Sequence, residues 1–147
     1  MTGKRDHRPI LAPERSGVYA MPADAAALKR AATEQNLAWM ELDTSGARDK
    51  ESLLEACAFS LDFPDSFGSN WDALSDCLRD FSWRPGRGYV IVWHGGATLA
   101  AAALDDFATA LEVFRDAANY WKERGRIFIV LLDRPVPGLT VPPFRRS

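Results

Sequence analysis

The chain has 147 residues and a net charge of −2, from 18 Lys and Arg against 20 Asp and Glu. At 47% hydrophobic residues, with 10 Gly and 9 Pro, it holds enough apolar material for one cored domain, which excludes a disordered or collagen-like chain. The near balance of charge excludes a whole-chain cationic field, so no direct nucleic-acid partner is expected.

The charge is unevenly placed. Residues 1–16 carry Lys4, Arg5, Arg8 and Arg15 around Pro9 and Pro13, and residues 134–147 carry Arg134, Arg145 and Arg146 among Pro135, Pro137, Pro142 and Pro143. Proline breaks regular elements, so the two ends read as flexible basic tails on a domain spanning 17–133. With the basic ends set aside, residues 16–133 carry −7. An acidic body favours a basic partner.

Gly17 to Ala20 reads as a short strand, and Asp24 to Gln35 as a helix whose Ala25, Leu28 and Ala32 recur at helical spacing. Leu37 to Leu42 is the next strand, closed by the turn-prone Asp43, Thr44, Ser45 and Gly46. Asp49 then caps a helix with Leu53, Leu54, Ala56, Cys57 and Leu61 on its apolar face. Pro64 ends that helix, and a loop runs to Asn70, a cap for a helix from Trp71 to about Phe81. Gly86 to Gly88 lead into Tyr89–Trp93, a continuous apolar run typical of a strand buried on both faces. A long helix from Leu104 to Arg124 follows, with Phe107, Leu111, Phe114, Ala118 and Trp121 on one stripe, and Gly125 stops it. Ile127–Leu132 is a second fully apolar strand. Strands separated by helices predict a small α/β layered fold, with a mainly parallel sheet of three to four strands and helices packed on it.

Few chemical motifs are present. Cys57 and Cys77 form no C-x-x-C and have no paired histidines, so two buried free thiols and no metal or cofactor are expected. Gly86-Arg87-Gly88 precedes a strand rather than a helix, and no phosphate-binding loop is encoded. Trp93-His94-Gly95-Gly96 has a faint likeness to an esterase oxyanion loop. Its companion G-x-S-x-G elbow is missing, so a plain turn is the simpler reading and no enzyme is predicted. The stretch Gly95 to Leu104 is about half the ~20 apolar residues needed to span a bilayer. A cytoplasmic monomer with no membrane contact is the expectation.

The segment Phe63 to Phe81, FPDSFGSNWDALSDCLRDF, concentrates the chemistry. Asp72, Asp76 and Asp80 recur every four residues, which on a helix stacks three carboxylates along one edge while Leu74, Cys77 and Leu78 face the core. From Glu51 to Ser82, seven acids meet only Arg79. Phe67 and Trp71, on either side of Gly68, are candidate aromatic anchors beside this ridge, a combination suited to a basic protein cleft. The competing reading is a solvated helix face with Trp71 packed beneath it. A carboxylate pair could also serve as general acid and base or hold magnesium, but no histidine lies nearby to assist.

The run Pro64 to Leu78, with its Phe67-Gly68-Ser69-Asn70-Trp71-Asp72-Ala73-Leu74-Ser75-Asp76-Cys77-Leu78, closely resembles the barstar family of ribonuclease inhibitors. The strand at Tyr89–Trp93, the helix bearing Leu111 to Ala117 and the strand Ile127–Leu132 follow in the same order, so the likeness spans about Ala38 to Leu132. The resemblance implies a loop and helix that plug the active site of a small basic ribonuclease. Asp76 would take the place of a substrate phosphate with Asp72 beside it, and Asp116 on the later helix would add an outer contact. Phe67, Gly68, Asn70, Trp71, Asp72, Ser75, Asp76, Asp80 and Asp116 are thus the candidate partner-binding residues. Ser66 and Ser75 stand where the family carries aromatic side chains, Asp80 where it carries Gly, and Arg126 where it carries a second Cys. The alternative is a domain of the same fold that binds a basic protein other than a nuclease.

Overall fold

A computed structural model describes residues 10–145. Its strands are β1 (Gly17–Ala20), β2 (Ala38–Asp43), β3 (Gly88–His94) and β4 (Ile127–Leu132). Its helices are α1 (Ala25–Glu34), α2 (Lys50–Ser60), α3 (Trp71–Leu78), α4 (Gly96–Ala102) and α5 (Leu104–Glu123). The strands form one sheet in the order β1-β4-β3-β2, and every pairing is parallel. The predicted α/β layered fold is therefore the fold observed.

The strand order dictates which face each helix covers. The chain crosses the whole sheet from β1 to β2, then steps back through β3 to β4. With right-handed crossovers, reversing direction puts α1 on one face and α2 to α5 on the other. The two apolar clusters follow this division: Leu28 and Ala32 of α1 pack with Val90, Ile129 and Leu131, while Leu53, Leu74, Phe107 and Phe114 pack with Ile91, Trp93, Phe128 and Val130. Successive residues of β3 and β4 thus enter opposite layers, which is why β4 and the Tyr89–Trp93 run of β3 are apolar throughout. The edge strand β2 buries Met40 and Leu42 but exposes Glu41 and Asp43. Charged residues on an open edge discourage pairing with another chain.

Two helices differ from the sequence expectations. Helix α4 was not foreseen, because its sequence GATLAAA shows no polar face to set a period. Its Gly95 has φ +80°, and a Cβ there would lie 2.4 Å from the Ser45 backbone nitrogen, so the glycine is required by a close approach of two loops. Helix α3 stops at Leu78 instead of continuing to about Phe81. Phe81 adopts φ +54° and turns inward to stack on Tyr89, with ring centres 4.6 Å apart.

The described parts of the ends are packed, not free tails. Leu11, Val136 and Phe144 are buried. The Ala20 amide donates to the Pro142 carbonyl at 2.8 Å, and the Phe144 amide donates to the Ala20 carbonyl at 3.0 Å, so residues 142–144 run along the outer edge of β1. Arg15 lies 3.9 Å from the centre of the Phe144 ring and donates to the carbonyls of Ile10 and Arg145. The prolines keep these segments out of the α-helices and the four strands, with Pro13–Arg15 forming a single 3-10 turn, but their apolar residues still had a sheet face to cover. The remaining parts of the predicted tails, residues 1–9 and 146–147, lie outside the described residues.

Candidate functional site: an acidic loop and helix

Helix α3 is short, so its ends and underside must hold it in place. Asn70 caps it: Oδ1 accepts from the Ala73 amide at 2.7 Å, and Nδ2 donates to the Gly68 carbonyl at 3.4 Å, tying the loop to the helix. Leu74 and Leu78 are fully buried beneath. At the other end the Trp121 indole N–H donates to the Leu78 carbonyl at 2.8 Å, so α5 satisfies a helix-terminal acceptor and clamps α3 to the body. Asn70→Ala should cost about 1 kcal/mol of stability, measurable as a lower denaturation midpoint, while Asn70→Asp keeps the cap.

This anchoring leaves one face outward. Asp72 and Asp76 are exposed one turn apart, the Asp76 side chain at 76%. Asp72 lies in the first turn, where the helix dipole favours a carboxylate. Asp80 lies beyond the helix end and accepts from the Ser82 hydroxyl at 3.2 Å, so the ridge expected to hold three stacked carboxylates holds two on the helix and one past it.

The aromatics are less exposed than expected. Phe67 is half-buried against Phe63 at 5.0 Å, continuing a run through Trp83 to Phe81. Trp71 is also half-buried, with the Lys50 ammonium 5.4 Å from its ring centre. Only their outer parts reach the surface, whereas Phe59 on α2 is 86% exposed. Gly68 has no positive φ, and a Cβ there would meet only ordinary contacts with Asn70 and Ala73. The backbone therefore does not demand glycine at this position.

Helix α5 supplies the opposite bank. Ser75 and Asp116 come together across a groove of about 410 Å³ that Asn119 and Glu123 also line. Arg79, Tyr120 and Arg124 border the same groove; the sequence marked Arg79 only as a local counter-charge, and none of the three is among the candidate binding residues. The signal was available for two of them, since Asp116, Tyr120 and Arg124 repeat every four residues on α5 and share a face.

The other sequence candidates resolve into structural roles. His94 Nε2 lies 2.8 Å from Glu41 Oε1, and its Nδ1 lies 3.7 Å from Asp133 Oδ2. The Gly95 amide donates to that Asp133 carboxylate at 3.4 Å. An oxyanion loop needs a free amide, and this one points at a carboxylate. Among the described residues, no group of three or more His, Cys, Asp or Glu could hold a metal ion, and no helix is long and apolar enough to cross a membrane.

Cys57 and Cys77 are free thiols, but only Cys57 is buried; Cys77 is half-exposed. Burial pushes the Cys57 thiol up to about 12. Burial, then Asp80 and Asp76, also raise Cys77. Both carry less thiolate than an unperturbed cysteine below pH 9. At pH 8 a chromogenic disulfide should label Cys77 slowly and Cys57 only after denaturation, and the Cys77 rate should keep rising above pH 9. Two rapid labels on the folded protein would contradict this.

A parallel sheet that holds a capped acidic helix and its loop outward defines a small α/β layered protein. The family can be stated more closely: the profile of Barstar (barnase inhibitor) matches residues 37–133, and the chain belongs to that family. No curated protein matches the chain.

Proposed function

We propose that this protein inhibits a small basic ribonuclease by seating its acidic loop and α3 in the enzyme's active site. The observation that carries the reading is the pair Asp72 and Asp76, exposed one turn apart on a helix fixed from beneath and at both ends. A carboxylate offers an arginine the same paired oxygens as a phosphate, so two held in place can imitate a nucleic-acid backbone in a cationic cleft. Membership of an inhibitor family supports this reading. The Phe67 to Trp71 loop adds apolar contact, and Ser75, Asp80 and Asp116 form the outer part of the surface. No cofactor is needed.

Titration into reactions of several small basic ribonucleases tests the proposal. The expected result is stoichiometric inhibition that weakens as salt is raised, because rim charges and long-range steering are screened beyond about 8 Å at physiological ionic strength. No inhibition of any of them would overturn the proposal and favour a basic partner that is not a nuclease.

A further inference from the structure

In the free protein, the carboxylate on which the proposed inhibition turns already has a cation. Arg79 Nη2 donates to Asp76 Oδ1 at 3.1 Å. This guanidinium is held: its Nε donates to the Ser75 carbonyl at 3.3 Å, and it stands 5.5 Å from the centre of the Tyr120 ring. The Tyr120 ring also carries Arg124, at 3.6 Å. The Arg79 side chain is 41% exposed against 76% for Asp76, so the cation is the more enclosed member of the pair. The groove beside it is lined by Asp116 and Glu123 as well as Arg124, so two carboxylates border the groove on which Arg79 sits when Asp76 is taken by another cation.

We infer that Arg79 is a built-in competitor for Asp76, which lowers the affinity of the surface and selects its partners. The inference rests on the inhibitor reading above. Arg79 engages one carboxylate oxygen, so a single lysine meeting Asp76 gains little that Arg79 does not already supply. A bidentate guanidinium or two adjacent cations gain more, and these can displace it. Arg79 also leaves a positive charge facing a basic cleft, which penalises partners whose cations cannot reach Asp76. The favoured partner is therefore a ribonuclease whose phosphate site is built from arginine or clustered cations.

The test compares inhibition of one responsive ribonuclease by the unaltered protein, Arg79→Ala, Arg30→Ala, Asp76→Ala and the Asp76→Ala/Arg79→Ala double variant. Arg30 lies on α1, across the sheet, and its removal takes away the same charge. Arg79→Ala should tighten inhibition about 3- to 10-fold, and Arg30→Ala by less than about 2-fold. In the Asp76→Ala background the Arg79 effect should shrink to the residual like-charge repulsion, less than about 2-fold. Unchanged or weaker inhibition by a folded Arg79→Ala protein, equal tightening by both arginine variants, or an Arg79 effect undiminished in the absence of Asp76 would each overturn the inference. Those results leave the inhibitor reading intact, whereas failure of every variant to inhibit any ribonuclease removes both.

Discussion

Asp76→Ala should weaken the proposed ribonuclease inhibition by about 3–5 kcal/mol, or two to three and a half orders of magnitude, and leave the free protein as stable as before. The two effects separate because the carboxylate has different surroundings in the two states. In the free protein it is exposed, and its one hydrogen-bonded ion pair is with Arg79 three residues on. Such a pair contributes about 0.2–0.5 kcal/mol. In a complex it would be desolvated against the enzyme's cations, and removing it strands those cations without a partner. The check is an inhibition constant and a urea midpoint measured on the same preparation. Inhibition within about threefold of the original would show that Asp76 is not the anchor, and unfolding would show that the carboxylate is structural.

The largest loss of stability is expected for Trp93→Ala, about 3–5 kcal/mol, a substantial fraction of a typical 5–15 kcal/mol total. Trp93 is fully buried in β3, between Phe107 at 5.2 Å and Phe114 at 4.8 Å. Its indole N–H donates to Thr44 Oγ1 at 2.9 Å, and that hydroxyl donates to the His94 carbonyl at 3.2 Å. Truncation would open a cavity where α4, α5 and the sheet meet and also leave buried Thr44 short of a donor. Trp93→Phe keeps most of the volume and loses the hydrogen bond, so it should cost less, about 1–3 kcal/mol. Equilibrium denaturation separates the two. A Trp93→Ala protein within about 1 kcal/mol of the original would mean that the core collapses onto the gap.

The sequence exposed those features that depend on periodicity and capping. The two wholly apolar strands, the Asn70 cap and the five-turn stripe of α5 were all legible, because each repeats at a fixed spacing or uses a residue type with one geometric purpose. Features that depend on distant neighbours were not. Residues Asp80 and Phe81 continue the helical pattern of α3, yet the chain leaves the helix because Phe81 gains more by stacking on Tyr89. The burial of Phe144 and Leu11 depends on a sheet face that no local pattern announces. At the candidate site, the acids were visible as a four-residue repeat, whereas the arrangement of Arg79 and Arg124 about Tyr120 brings together two helices about forty residues apart in the chain.

The pairing of β1 also constrains how this protein comes into being. Gly17 lies opposite Ile129, and Ala20 meets both Leu132 and Pro143, so β1 finds its neighbours only more than a hundred residues further on. Contacts so far apart in sequence form late and slowly. Until β4 emerges, the apolar face later shared by α1 and the sheet has no complete cover, and α5 has no finished sheet on which to brace α3. The α3 surface is therefore braced only once residues 127–144 are in place, so binding competence comes late in folding.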